Sequence, residues 1–276
     1  MTILHEAKID CHCHVLDPTR FPYDPESKYL PSGQEVAPVD HFMRVMDLNG
    51  VRHALVVGTN SAYGKDLSPV LDAIAQGDGR FKGIAVVAND IAGSELERLK
   101  ARGIVGIAFN GTFYDASYYA NTHELLRNLT ALNMVLQLQV KEDQLLDFLP
   151  MIERTDVRLV IDHCGKPVPM CRVEQRGFQA LLQLGRSERA SVKISGFSQF
   201  SSERYPYRDV HAFVDALIVA FTLDRCMWGS DWPFLRATER MDYGPLLQLI
   251  EHLVPNEADR KKLLWETPRR VFGFGE

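Results

Sequence analysis

Apolar and β-branched residues fall in short runs along the chain, and each run is followed by a longer stretch whose apolar positions recur three or four residues apart. That alternation predicts strands joined by amphipathic helices, the pattern of βα units around a parallel sheet. Eight runs fit strands, at 7–15, 53–58, 83–88, 105–110, 134–140, 157–163, 191–196 and 226–231. The intervening helices are predicted at 39–48, 67–76, 94–102, 122–132, 142–154, 173–186, 207–221 and 243–253, with a final helix at 257–265 ahead of a 268–272 tail. Asn49-Gly50, Gly103 and Asn133 stand where helices should end before the second, fourth and fifth strands. Eight units in 276 residues fit one α/β domain spanning 1–276, a single (β/α)8 TIM barrel. A doubly wound open sheet usually has fewer strands and a glycine-rich first turn. The first connection, 16–38, is long, holds Pro18, Pro22, Pro25, Pro31 and Pro38 with Phe21, Tyr23 and Tyr29, and reads as a lid or binding loop.

In such a barrel the chemistry sits at the C-terminal strand ends, so the polar groups there decide what the protein does. The first strand ends Asp10-Cys11-His12-Cys13-His14, and simple alternation puts both histidines on one face and both cysteines on the other. A hydrogen-bonded histidine pair without function is the plainer alternative, and a Cys-His zinc module lacks a second cysteine pair at the required spacing. The sixth strand stops at Asp162-His163 and turns through Cys164-Gly165-Lys166-Pro167, placing His163 at the rim. Asp162 alone reads as a turn cap, and Lys166 as either an anion contact or a solvated charge. The eighth strand runs into Asp231, beside Trp232-Pro233, where a carboxylate would share the mouth with His12, His14 and His163. Gln137 and Gln139 share one face of the fifth strand and can orient a carbonyl or hydroxyl. Lys193 and Ser195 share a face of the seventh, with Lys193 read as an interior ion-pair partner.

Composition narrows the class. Net charge is -5 and the basic residues are scattered, which argues against a nucleic-acid partner. No stretch reaches the roughly 18 apolar residues of a membrane span, and the first residues lack the apolar core of a signal peptide. Five cysteines, an odd number, suit free thiols in a reducing compartment, so a cytoplasmic location without disulfides is expected.

Three ordered motifs, His12-Cys13-His14, Asp162-His163-Cys164-Gly165-Lys166-Pro167 and Gly229-Ser230-Asp231-Trp232-Pro233, resemble the amidohydrolase superfamily. Phe21-Pro22-Tyr23, Lys28-Tyr29-Leu30-Pro31, Phe109-Asn110 and Lys193-Ile194-Ser195-Gly196 extend the likeness, over nearly the whole chain, to the branch holding sugar lactonases and 2-pyrone-4,6-dicarboxylate lactonase. The resemblance implies hydrolysis of a small lactone, with Asp231 as general base and His12, His14 and His163 polarising the carbonyl. Tyr29, Gln137, Gln139 and Lys166 are the expected substrate contacts.

Two departures shape that expectation. Metal-rich members carry a carboxylated Lys or Glu ending the fourth strand and a His ending the fifth, where this chain has Asn110, Gln137 and Gln139. A two-metal site is therefore not expected, one divalent cation such as Zn2+ could be held by His12, His14 and Asp231, with or without His163, and the resemblance to the lactonase branch implies activity without a required metal. The arginines that hold carboxylates in the dicarboxylate lactonases are matched here by Ala108 and Tyr114, leaving Arg204, Arg208 or Arg236 to compensate. The rival readings are a metal-dependent decarboxylase or amide hydrolase on the same barrel, and a ligand-binding barrel without catalysis. The expected partner is a small-molecule substrate, and the sequence sets no oligomeric state.

Overall fold

Eight parallel strands follow one another around the sheet in chain order, each separated from the next by at least one helix. The computed structural model describes residues 2–27 and 29–275; Lys28, from the Lys28-Tyr29-Leu30-Pro31 motif, lies outside the described residues. The strands are β1 (Lys8–Cys13), β2 (Val51–Val57), β3 (Phe81–Ala85), β4 (Ile104–Asn110), β5 (Val135–Gln139), β6 (Arg158–Ile161), β7 (Ala190–Ile194) and β8 (Cys226–Trp228). The helices that cover them are α1 (Val39–Leu48), α2 (Ser68–Gln76), α3 (Gly93–Ala101), α4 (His123–Ala131), α5 (Leu145–Ile152), α6 (Arg176–Arg186), α7 (His211–Phe221) and α8 (Tyr243–Leu253). The (β/α)8 barrel expected from the hydrophobic pattern is therefore the fold. Gly50, Gly103 and Asn133 take positive φ at the turns where helices were expected to stop. No helix among the described residues is long and apolar enough to cross a membrane.

Alternation along the strands separates two cores. Ala54 and Val56 of β2, with Leu136 of β5 and Ile161 of β6, join the outer core beneath the helices. Leu55 and Val57, with Ile84, Val135, Val160 and Met227, fill the barrel, which Trp265, Val271, Phe272 and Phe274 close from below. The C-terminal segment corrects the predicted tail: α9 (Glu257–Lys261) runs through a π turn at Lys262–Glu266 into α10 (Thr267–Phe272). Pro268 does not end the helix, because it stands in the first turn of α10, where a missing N–H costs nothing.

A second correction concerns β1. Asp10 pairs with Ala54 and Cys13 with Val56, so three steps on β1 match two on β2 and one residue is extra. Such a bulge breaks the two-residue alternation. Cys11 consequently packs inside the barrel with Ile9, Leu55 and Met227, and only Cys13 joins the outer core. His12, which strict alternation from Cys11 would turn outward, is re-aimed into the mouth.

The seam between β8 and β1 closes beyond the end of β8. Asp231 N donates to His12 O at 2.8 Å and His14 N donates to Trp232 O at 2.8 Å. The backbones that finish the barrel are thus those of the residues carrying the candidate chemistry.

Candidate active site

Asp231 sits at the centre of the mouth. Its Oδ1 lies 3.8 Å from His12 Nε2, 4.0 Å from His14 Nε2 and 3.7 Å from His163 Nε2. Three imidazoles from two distant stretches of the chain therefore meet around one carboxylate from a third, as the strand-end reading expected. The loops that present them are held in left-handed backbone: His163, Cys164 and Lys166 after β6, and Asp231, Phe234 and Arg236 after β8, all have positive φ. Non-glycine residues persist there only where surrounding contacts over-determine them. Glycine is needed where backbones give way to imidazoles. A Cβ on Gly229 would lie 2.7 Å from His12 Cβ, and one on Gly196 would lie 2.5 Å from His163 Nδ1.

A buried polar layer lies directly beneath. Lys193 Nζ sits 3.0 Å from Asp162 Oδ1, 2.6 Å from Gln137 Oε1 and 3.2 Å from His12 Nδ1. Gln137 Nε2 donates to Asp162 Oδ2 at 2.8 Å, completing a ring across β5, β6 and β7. Asp162 is thus no mere turn cap, and Lys193 is the interior ion-pair partner that its place in an apolar strand predicted. Gln137 braces this layer through both ends of its amide and also lines the cavity, where it was expected as a substrate contact. Outside the barrel wall, Asp10 accepts from Ser230 Oγ (2.5 Å), Ser230 N (2.8 Å), His12 N (3.1 Å) and Tyr243 Oη (2.8 Å). It fastens both motif-bearing strands to α8.

Burial sets the proton chemistry. Desolvation raises the Asp231 carboxyl to about 7, partly offset by a hydrogen bond from Gln199 Nε2 and by the charge of Lys166. His12 and His163 are pushed well below the ordinary imidazole range by desolvation first, then by Lys193 and His14 at His12 and by His12 at His163. His14 is lowered to about 4 by the same burial. Its Nδ1 lies 2.7 Å from Val57 O, and a carbonyl only accepts, so neutral His14 carries its proton on Nδ1 and presents a bare Nε2. This corrects the expectation of three equivalent carbonyl-polarising histidines, because a bare nitrogen cannot donate. His163 Nδ1 meets Ser195 Oγ at 2.9 Å, which leaves its Nε2 facing the carboxylate.

The four residues line a cavity of about 150 Å³ together with Gln139, Lys166, Gln199 and Arg236, and with Thr59, Asn60, Asn110 and Phe113. Gln139 and Lys166 take the places expected of substrate contacts. Tyr29 does not reach the cavity wall: its hydroxyl donates to Glu35 at 2.5 Å and its ring lies beneath the Arg236 guanidinium, 4.4 Å away. Of the arginines considered, Arg236 reaches the cavity, whereas Arg204 pairs with Glu239 at the surface and Arg208 is exposed. Ala108 is part of the wall, and Tyr114 stacks on Tyr118 at 4.2 Å. Gln199, Asp10 and the catalytic-side placement of Asp162 escaped the sequence reading. Only Asp162 had a signal, since a lysine inside an apolar strand demands an acid on its neighbour.

Part of this donor set could hold a cation. One ligand atom from each of His12, His14 and Asp231 lies within 4.8 Å of the others, and His12, Asp162 and His163 form a second such group. The bare His14 Nε2 and the Asp231 carboxylate suit a divalent ion. His12 suits it when its Nδ1 proton faces Asp162 Oδ1, 3.3 Å away, but not when Nδ1 accepts from Lys193 and Nε2 holds the proton. The residues fit one cation in the first arrangement.

This constellation on a (β/α)8 barrel defines an enzyme class, and the amidohydrolase family profile matches residues 9–274. The chain belongs to the amidohydrolase family. It is 30% identical to 4-sulfomuconolactone hydrolase of Rhizobium radiobacter over 96% of this chain and 89% of that protein. It is 28% identical to 2-pyrone-4,6-dicarboxylate hydrolase of Comamonas testosteroni over 98% of this chain and 91% of that protein. Among solved structures, a probable 2-pyrone-4,6-dicarboxylic acid hydrolase from Acinetobacter baumannii, crystallised with citric acid bound, superposes with a TM-score of 0.88 at 28% identity, covering 97% of this chain and 99% of that one. The lactonase-branch resemblance read from the motifs is thereby confirmed.

Proposed function

We propose that the protein hydrolyses a small lactone, with Asp231 as general base. The carrying observation is one carboxylate oxygen within 4.0 Å of three imidazole nitrogens in a cavity the size of a single ring. A base whose pKa lies near neutrality is well matched to proton transfer at physiological pH. Water is held between Asp231 and the bare Nε2 of His14. Asp231 takes its proton as the oxygen attacks the lactone carbonyl carbon. With Lys193 donating to Nδ1, His12 offers Nε2–H, and His163 does the same when Ser195 donates to its Nδ1; both N–H groups face the oxyanion of the tetrahedral intermediate. Collapse breaks the bond to the ring oxygen, and Asp231 returns the proton to it, giving a hydroxy acid. Gln139 and Lys166 hold the substrate, and Gln199 steadies the carboxylate.

We further propose that no metal is required. Neutral amides, Asn110 and Gln139, end β4 and β5 where a larger metal site would need charged or imidazole ligands, and Lys193 competes for His12. If a divalent ion such as Zn2+ binds, His12, His14 and Asp231 hold it, and it supplies Lewis-acid polarisation of the carbonyl. Buried, unpaired cysteines at 11, 13, 164 and 226 agree with action in a reducing cytoplasm on a small-molecule substrate.

The test is acid release from a panel of sugar lactones, muconolactones and pyrone carboxylates, with metal analysis and chelation alongside. Turnover that survives chelation is expected. Activity that vanishes with a tightly held metal favours a metal-dependent decarboxylase or amide hydrolase, and ligand binding without any turnover favours a non-catalytic barrel.

A further inference from the structure

We propose that the N-terminal face of the barrel carries a second binding site, a cavity walled by Arg158, Arg189, Arg225 and Arg270 that takes a small molecule through its phosphate group. It lies at the opposite end of the strands from the mouth, and it stands whether or not the protein opens lactones.

Parallel strands bring their first residues to one face, so groups that precede strands collect there just as groups that follow them collect at the mouth. Arg158 opens β6, Arg189 and Arg225 stand immediately before β7 and β8, and Arg270 comes from α10. All four line one cavity of about 420 Å³, together with Glu188 and Asp224. On a chain of net charge -5, four guanidinium groups in one wall are a local excess and do not follow from composition.

The two acids of the wall are each beside another cation. Glu188 Oε1 lies 3.4 Å from Arg225 Nη1, and Asp224 Oδ1 lies 3.6 Å from Lys262 Nζ. Among the described residues Arg158, Arg189 and Arg270 form no ion pair. Backbone carbonyls pin part of each fork instead. Arg158 donates to Val271 O at 2.9 Å and to Asn133 O at 2.7 Å, Arg189 donates through Nη2 to Ile152 O at 2.9 Å and Thr155 O at 2.8 Å, and Arg270 donates to Asp224 O. A carbonyl orients a guanidinium without cancelling its charge, and a guanidinium has five N–H donors to share. Carbonyl capping explains each arginine singly, but it does not explain like charges left side by side. Arg158 is pushed below the ordinary guanidinium range by partial burial first and then by the charge of Arg270, while it stays protonated. Arg225 adds an orphan: its Nε is buried without a hydrogen-bond partner among the described residues, a donor that a bound acceptor would satisfy.

Phosphate answers this set, because its oxygens meet several forks at once where a monocarboxylate serves one. The cavity is also larger than the one at the mouth, about 420 against 150 Å³, which leaves room for a sugar-sized remainder beyond the anion.

The experiment titrates the full chain with sodium phosphate and with ribose 5-phosphate, against chloride and acetate at matched ionic strength, by calorimetry and thermal unfolding. Phosphate at about 100 times its Kd should raise Tm by about 5 °C. Phosphate stabilises most proteins weakly by exclusion from their surfaces, so the variants decide. Arg270→Met, which removes an exposed side chain, should weaken both ligands about tenfold, and Arg158→Lys should weaken them by a smaller factor. Glu188→Gln frees Arg225 and should tighten both about threefold, a gain that a damaged fold cannot counterfeit. Ribose 5-phosphate should bind at least as tightly as phosphate; binding of phosphate alone, with the same response to the variants, supports the site with the free ion as its occupant. Affinities unchanged in Arg270→Met and Glu188→Gln, or acetate bound as tightly as phosphate, overturn the proposal.

Discussion

The interior of the barrel changes character within two residues along β5, from Val135 to Gln137, and at the end of β6, from Val160 to Asp162. Its floor is apolar, with Leu55, Val135, Val160 and Met227 packed on Trp265 and Phe272. Its upper layer, drawn from β1, β5, β7 and the end of β6, is Gln137, Asp162, Lys193 and His12, all buried and bonded to one another. The floor gains stability from area removed from water. The upper layer spends much of its attraction on desolvation, and a buried ion pair is weak evidence of stability. What it offers is a fixed imidazole. The comparison teaches that stability and chemistry occupy successive storeys of one closed sheet, so substitutions on each should move different measurements.

The largest effect should come from Asp231→Asn. Removing a general base costs on the order of 10²–10⁴ in kcat, measured as acid release at saturating lactone, with the fold intact by circular dichroism. The same change should stabilise the protein above neutrality. The carboxyl is raised from 3.8 to about 7 in the fold, so the native state holds the extra proton. The cost of ionising it is absent below about pH 4, grows between pH 4 and 7, and is complete above. Relief of that cost is worth on the order of 2–4 kcal/mol, and equal or lower stability of the variant at pH 8 by urea titration would refute the upward shift.

Leu55→Ala in the floor should cost about 2–5 kcal/mol of unfolding free energy while specific activity of the folded fraction stays near wild type. A comparable loss in kcat would dissolve the division between storeys. The upper layer is probed with Lys193→Met and Asp162→Asn together, which removes both charges and avoids a lone buried one. Unfolding free energy should change little, and kcat should fall about 10²-fold as His12 loses its Nδ1 donor. Smallest is the pH effect: kcat should drop about tenfold per unit below a pH near 7 as Asp231 takes up its proton, and a flat profile from pH 5 to 8 would rule out its role as base.

Most of the fold was legible because each strand is a compact apolar run and each covering helix a clear stripe; α1 and α8 match their predicted limits residue for residue. The strand ends were drawn too far at 163 and 231. β6 stops at Ile161 and β8 at Trp228, since the residues beyond turn into left-handed backbone that apolar pattern does not encode. Pro268 was misread because a proline that ends one helix and one that begins the next look alike in sequence. In the site, His12, His14, His163 and Asp231 announced themselves as imidazoles and a carboxylate closing apolar strands. Gln199 and Asp10 did not: a glutamine in a Phe-Ser-Gln turn has no local signature, and Asp10 finds Ser230 across 220 residues of chain. Tyr29, read as a ligand contact, stands beside the mouth against Glu35 and Arg236 and outside the cavity wall, a difference of one residue's reach that the loop sequence does not encode.

The extra residue between Asp10 and Cys13 makes the length of this strand a matter of parity. Removing Cys11 would restore one-for-one pairing with β2 and still aim both imidazoles at the mouth, whereas removing Cys13 would leave the strand to alternate from Cys11 and turn His12 in among the helices. Among single deletions across this segment, loss of Cys11 should be the one that keeps the chemistry.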